Sequence, residues 1–172
     1  MKAALDVHYV GDRATAACVL FAHWRDPEPI ESLCLDLAPV APYRAGHFFA
    51  RELPCLLAVL ARCRRSVETI VIDGYVHLAA QVGLGLGAHL AAALPDQAAV
   101  VGVAKSPLAC AGRFVPVRRG QSRRPLFVSA TGMALERAAQ HIAAMHGAFR
   151  IPTLLKWVDR AARAHSAMGG TV

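Results

Sequence analysis

The chain has 172 residues, 55% of them hydrophobic, which is enough for one domain with a proper core, and no apolar run reaches the roughly 18 residues needed to cross a bilayer. Its cysteines, Cys18, Cys34, Cys55, Cys63 and Cys110, are odd in number and form no Cys-x-x-Cys pair, which argues against a disulfide framework and against a structural zinc site. Nineteen Lys and Arg against twelve Asp and Glu give a net charge of +7, concentrated in Arg62-Cys63-Arg64-Arg65 and in the stretch from Arg118 to Arg124, which suits either a polyanionic partner or a solvated face.

The opening Met-Lys-Ala-Ala-Leu-Asp has no signal-peptide pattern, so a cytoplasmic chain is expected. Ala3 to Leu5 and Ala14 to Phe21 are apolar runs around a polar turn at Gly11-Asp12-Arg13, which predicts a β-hairpin. A third strand is predicted over Glu31 to Leu37. Pro39, Pro42 and Gly46 mark a loop, after which Phe49, Leu53, Leu56, Leu57 and Leu60 recur at helical spacing within Phe48 to Arg62. Pro54 is expected in the first turn of that helix, where its missing N–H costs little. Val67 to Ile72 is a run dominated by β-branched residues, of the kind found in a doubly covered parallel strand. A helix over Leu86 to Leu94 and a buried strand over Ala99 to Ala104 follow. Strands are then predicted at Arg113 to Val117 and Pro125 to Ser129, and helices at Ala134 to Met145 and Pro152 to Ala164. The order defines an α/β chain with a mixed sheet and helices on both faces, a three-layer α/β/α architecture. One domain over residues 1–165 is expected, with a flexible tail over 166–172.

Four acidic residues stand at element boundaries: Asp6, Glu52, Asp73 and Asp159. An ionised, unpaired carboxylate beside apolar strands costs several kcal/mol, and a hard divalent cation is the simplest match for it. Function in such sheets collects at the carboxyl ends of the central strands. Asp6 is expected just after the first strand, Asp73 at the end of a buried one and Lys105 at the end of the next. Each has a plainer reading: Asp73-Gly74 as a turn, Glu52 as a charge at a helix N-terminus, Asp159 as an ion-pair member among Lys156, Arg160 and Arg163. Of the histidines, His8 and His77 fall nearest the proposed site, where a structural hydrogen bond is the commoner role.

A first-strand Asp, a helical Glu, a strand-end Asp and a late helical Asp are arranged as in ribonuclease H-like nucleases. Asp6-Val7-His8-Tyr9, Pro42-Tyr43-Arg44-Ala45-Gly46 with Arg51-Glu52, Val71-Ile72-Asp73-Gly74, Val101-Gly102-Val103-Ala104-Lys105, Pro125-Leu126-Phe127-Val128-Ser129 with Gly132, and Ile151-Pro152-Thr153 with Asp159 occur in order. Together they closely resemble the endonuclease V family over nearly the whole chain. The resemblance implies a ribonuclease H-like fold and a metal set of Asp6, Glu52, Asp73 and Asp159 holding Mg²⁺, with Mn²⁺ as a substitute. Asp6, Glu52, Asp73 and Lys105 are the implied catalytic residues, with Lys105 on the phosphate side. Pro42 to Ala45 corresponds to the family's wedge, with Tyr43 filling the gap left by an extruded nucleotide. Gly46, Phe48, Gly74 and Leu108 would line the hypoxanthine pocket, and His77 stands where members carry a histidine.

The implied substrate is a nucleic acid, DNA or RNA, containing inosine, cut at a phosphodiester on the 3′ side of the lesion. No membrane partner is expected, and a monomer is favoured. The chain departs from the pattern in Tyr75 to Ala80, which lacks the usual Pro and Arg, and at Ala45, which replaces the wedge's second proline. The extension that precedes the first strand in longer members is also expected to be missing. A catalytically impaired nucleic-acid binder on the same fold is the alternative these departures leave open.

Overall fold

Small and branched apolar residues alternate through the first twenty positions and build a long hairpin. β1 (Lys2–Val10) and β2 (Arg13–Phe21) pair antiparallel from Lys2↔Phe21 to Val10↔Arg13, turning through Gly11 at a φ of 62°. The computed structural model describes residues 1–42, 48–79, 83–95 and 98–168, without the side chains of Phe48 and Met168. β3 (Glu31–Leu37) adds to β2 as an antiparallel edge. On the other side of β1 run the parallel strands β4 (Thr69–Asp73) and β5 (Ala99–Ala104). Two antiparallel strands, β6 (Val115–Val117) and β7 (Leu126–Thr131), complete the sheet in the order β3-β2-β1-β4-β5-β7-β6.

Helices cover both faces, as expected for the α/β class. Cys55, Leu56 and Val59 of α1 (Phe48–Leu60) and Leu86 and Leu90 of α2 (Leu86–Ala93) pack on Leu5, Ile70 and Ile72. Opposite them, Ala138 and Ile142 of α3 (Leu135–Ala144) and Leu154, Val158 and Ala162 of α4 (Thr153–Met168) pack on Ala4, Val71 and Val101. β4 therefore sends Ile70 and Ile72 into one layer and Val71 into the other. A strand sandwiched in this way has no polar face, hence its continuous apolar run. None of the helices among the described residues is long and apolar enough to cross a membrane.

Three expectations are corrected. Asp6 does not follow β1 but lies within it, because pairing with β2 carries the strand on to Val10. Pro54 is the seventh residue of α1 rather than part of its first turn, so the Ala50 carbonyl is denied its usual i→i−4 donor. Pro54 faces solvent, where water can serve that carbonyl. Arg119 is only 6% exposed and makes no solvated basic surface. Its guanidinium donates to the carbonyls of Ala143, Met145, Gly147, Phe149 and Arg150, tying the end of α3 to the connector before α4.

After β4 the chain folds back over β5. Gly74 takes a φ of 118°, and the Val76 amide donates to Ser129 Oγ at 2.9 Å. A Cβ at Gly102 would stand 2.5 Å from the Gly74 carbonyl oxygen and 2.8 Å from Ser129 Oγ, so glycine is what lets this segment lie on the sheet. The same segment caps α2, whose N-cap Gly85 offers no side chain. The carbonyls of Tyr75 and Val76 accept from the amides of Gly87 and Ala88 instead, at 3.4 and 3.1 Å. Asp73 is thus held between a strand and a tightly packed return.

Candidate active site

Parallel pairing of β1 with β4 stops at Leu5↔Ile72, while β1 continues along β2. Asp6 and Asp73 come next in register on neighbouring strands, whose spacing is about 4.8 Å. Asp6 is two residues beyond Ala4, and Asp73 two beyond Val71, so both side chains leave on the α3–α4 face. Lys105 lies just past β5 on the same face, and its Nζ donates to Asp73 Oδ2 at 2.6 Å. From α4, Asp159 reaches the same place. These four residues line a cavity of about 30 Å³ walled by apolar side chains including Ile151, Leu155 and Val158. That is space for one or two waters or a small ion.

Glu52 approaches from the other layer. Packing of α1 on the sheet buries it, and 6% of it is exposed. Burial, with the charges of Asp6 and Asp73 behind it, raises its carboxyl from an ordinary 4.5 to about 8. Asp6 is raised from 3.8 to about 7, mainly by burial and then by Asp73 and Asp159. Burial also opposes the charge of Lys105, but the hydrogen bond and charge of Asp73, assisted by Asp6 and Asp159, outweigh it and hold the ammonium above its ordinary value. For Asp159 burial is likewise overcome, here by Arg163 and Lys105 and by a hydrogen bond from Asp6, so its carboxyl is lowered. Arg163 donates through Nε and Nη2 to Asp159 Oδ1, both at 3.2 Å. Asp159 is therefore both the ion-pair member its neighbours suggest and a wall of the cavity.

Asp6 and Glu52, whose carboxyls burial and neighbouring carboxylates raise, join Asp73 and Asp159 in an all-oxygen donor set, which fits a hard divalent cation. As the side chains stand, no three His, Cys, Asp or Glu among the described residues converge as a closed cage. Lys105 pairs with Asp73 and Arg163 with Asp159.

Beside Asp73 a second cavity of about 390 Å³ opens on the other layer, lined by Gly74, Tyr75, Leu78, Leu84, Leu108 and Phe49 among others. Leu84 and Leu108 are half exposed at its mouth. Gly74 and Leu108 are thus brought together where the sequence places them, and Phe49 lines the wall next to the predicted Phe48, whose side chain lies outside the described residues. Tyr43 and Gly46 also lie outside them, and Pro42 is exposed at their edge. His77 lines neither cavity: it bridges to Leu84, and its carbonyl accepts from the Gly112 amide at 2.9 Å. Tyr75 has no site role in the sequence, yet it lines the larger cavity and donates to the Ser106 carbonyl at 3.0 Å, joining the Asp73 loop to the Lys105 loop.

A mixed seven-stranded sheet with helices on both faces and acidic residues gathered at the ends of its central strands is a ribonuclease H-like fold. Residues 1–160 match the family model for endonuclease V, and the chain belongs to that family. It is 32% identical over 159 residues to endonuclease V of Rhodospirillum centenum, a match covering 80% of this chain and 64% of that protein's length. Among solved structures, the catalytic domain of human endonuclease V superposes with a TM-score of 0.79 at 24% identity, covering 98% of this chain and 83% of that one. Ciona intestinalis endonuclease V, solved with a 23mer DNA containing an inosine followed by a ribo-adenosine, gives a TM-score of 0.79 at 17% identity, covering 97% and 85%.

Proposed function

We propose that this chain is a metal-dependent endonuclease that recognises hypoxanthine in DNA or RNA and hydrolyses a nearby phosphodiester on its 3′ side. The observation that carries the reading is the gathering of Asp6, Asp73, Lys105 and Asp159 around one small cavity, with buried Glu52 behind them, beside a largely apolar pocket large enough for a purine. Family membership and the inosine-containing DNA held by the Ciona protein support it. Asp6, Glu52, Asp73 and Asp159 would hold Mg²⁺, or Mn²⁺ as a substitute. A hard cation bound there supplies charge that makes water a better nucleophile and stabilises negative charge on the phosphate oxygens.

The remaining work falls to the chain's own groups. Lys105 keeps its proton, so its ammonium can turn from Asp73 to a non-bridging phosphate oxygen. Water attacks phosphorus, the bond to the 3′ oxygen breaks, and the products carry 3′-hydroxyl and 5′-phosphate ends. The extruded base enters the larger pocket, where Leu78, Leu84 and Leu108 exclude water and Gly74 lets backbone approach the base edge without a Cβ. Tyr43, within Pro42 to Ala45, fills the gap in the stack.

Incubation of inosine-containing and unmodified oligonucleotides with Mg²⁺ or Mn²⁺ tests this directly. Cutting confined to the inosine strands and abolished by a chelator is expected. No metal-dependent cutting of any strand would overturn the enzyme reading. Salt-sensitive binding without product would instead favour an impaired binder, a reading prompted by His77 lying away from both cavities.

A further inference from the structure

A third cavity, of about 350 Å³, shares Lys105 with the small acidic cavity and is lined by Lys105, Ser106, Arg124, Pro125, Phe127 and Arg150 with no acidic residue. Its cations are unevenly spent. Lys105 is committed to Asp73. Arg150 is held rigidly by the rim, donating through Nη2 to the carbonyls of Lys105 and Pro125. Its Nε is buried and has no hydrogen-bond partner among the described residues. No ion pair among the described residues involves Arg150 or Arg124. The Arg150 charge is met by backbone carbonyls and by no carboxylate among the described residues, which suits an anion in the cavity. Phe127 adds an aromatic wall, braced edge-on by Phe114 with ring centroids 5.4 Å apart.

Two guanidinium groups, a hydroxyl and an aromatic ring around a space of this size match a nucleotide: phosphate on the cations, base against the ring. We propose that this cavity is a second nucleotide subsite, taking the phosphate and base of the same strand on the opposite side of the cut phosphodiester from the purine-sized pocket. Arg150 is its fixed phosphate donor and Arg124 its mobile one. The inference rests on the nuclease reading for the identity of the strand and for the position of the cut.

The test is fluorescence anisotropy with labelled single-stranded DNA, with and without inosine, in EDTA so that cutting plays no part. Arg124→Ala, at an exposed position, is expected to weaken both strands about tenfold and to flatten the slope of log K against log salt by roughly 0.7, the loss of one single-strand phosphate contact. Arg124→Lys is expected to restore most of the slope. Removing nucleotides beyond the cut site from the strand should weaken the wild type and leave Arg124→Ala unaffected. Equal affinity and equal slope for wild type and Arg124→Ala would overturn the subsite, as would a wild type that binds neither strand. Inosine-specific cutting by a protein with an unaltered Arg124→Ala slope would sink the subsite and leave the nuclease reading standing.

Discussion

Two carboxyls of the cluster, Asp6 and Glu52, are held more readily neutral than charged, and this has a measurable sign. Asp6 and Glu52 titrate at about 7 and about 8 in the fold, against 3.8 and 4.5 ordinarily. The folded chain therefore binds more protons than the unfolded one between about pH 4 and pH 8, and without a divalent cation its stability falls as pH rises through that window. Shifts of this size correspond to several kcal/mol in total. Denaturant unfolding in EDTA should accordingly show a lower midpoint at pH 8.5 than at pH 5, and Glu52→Gln should remove part of the difference. A flat profile would mean that the carboxylates are already compensated by protein groups. Replacing Asp73 with Ala frees Lys105 from its partner and deletes a proposed ligand. Cutting of an inosine strand should drop about 10²-fold or more while binding in EDTA stays within a few-fold, read by gel assay and anisotropy.

The strands that carry the site are easier to read from sequence than the turns that aim it. β4 and β5 are legible because both their faces are covered, which leaves an unbroken apolar run. Asp6 interrupts such a run, and composition alone ends the strand there, whereas the ladder with β2 draws Asp6, His8 and the exposed Val10 into β1. Pro54 misleads in the same way: its preference for a first turn gives way to the burial of Cys55, Leu56 and Val59 around it. Pro54→Ala restores a helical donor at an exposed position and should stabilise the chain by about 1–3 kcal/mol, seen as a raised thermal midpoint. Gly102 has the opposite character. Gly102→Ala forces a methyl against the Gly74 carbonyl and Ser129 Oγ. It should cost about 1–3 kcal/mol of stability and lower cutting further by displacing Asp73; an unchanged midpoint would show that the 74–76 return is free to yield.

Across the whole molecule, charge is divided between the two ends of the sheet. Arg62, Arg64 and Arg65 follow α1, near the start of β4 and away from Asp73, and Arg65 faces Glu31 at 3.8 Å. The stretch from Arg118 to Arg124 joins β6 to β7 near Lys105, with Arg119 turned inward as a tie. Two basic runs that look alike in sequence thus have different surroundings, because only the sheet's order says which end each one meets. Arg62→Ala with Arg64→Ala should leave affinity for a nucleic-acid strand within about twofold, since surface charges beyond a Debye length are screened; a drop as large as that of Arg124→Ala would place the strand elsewhere. Arg150 carried no sequence signal at all, because its partners are backbone carbonyls reached only after folding. The cluster itself was legible, since acidic residues ending apolar runs at matching strand positions have few plain explanations together. Anomalous scattering from a crystal soaked in Mn²⁺ tests that cluster most directly. A peak between Asp6 and Asp73, within bonding distance of both carboxylates, is the expected result, and a fully occupied soak with density at neither would contradict it.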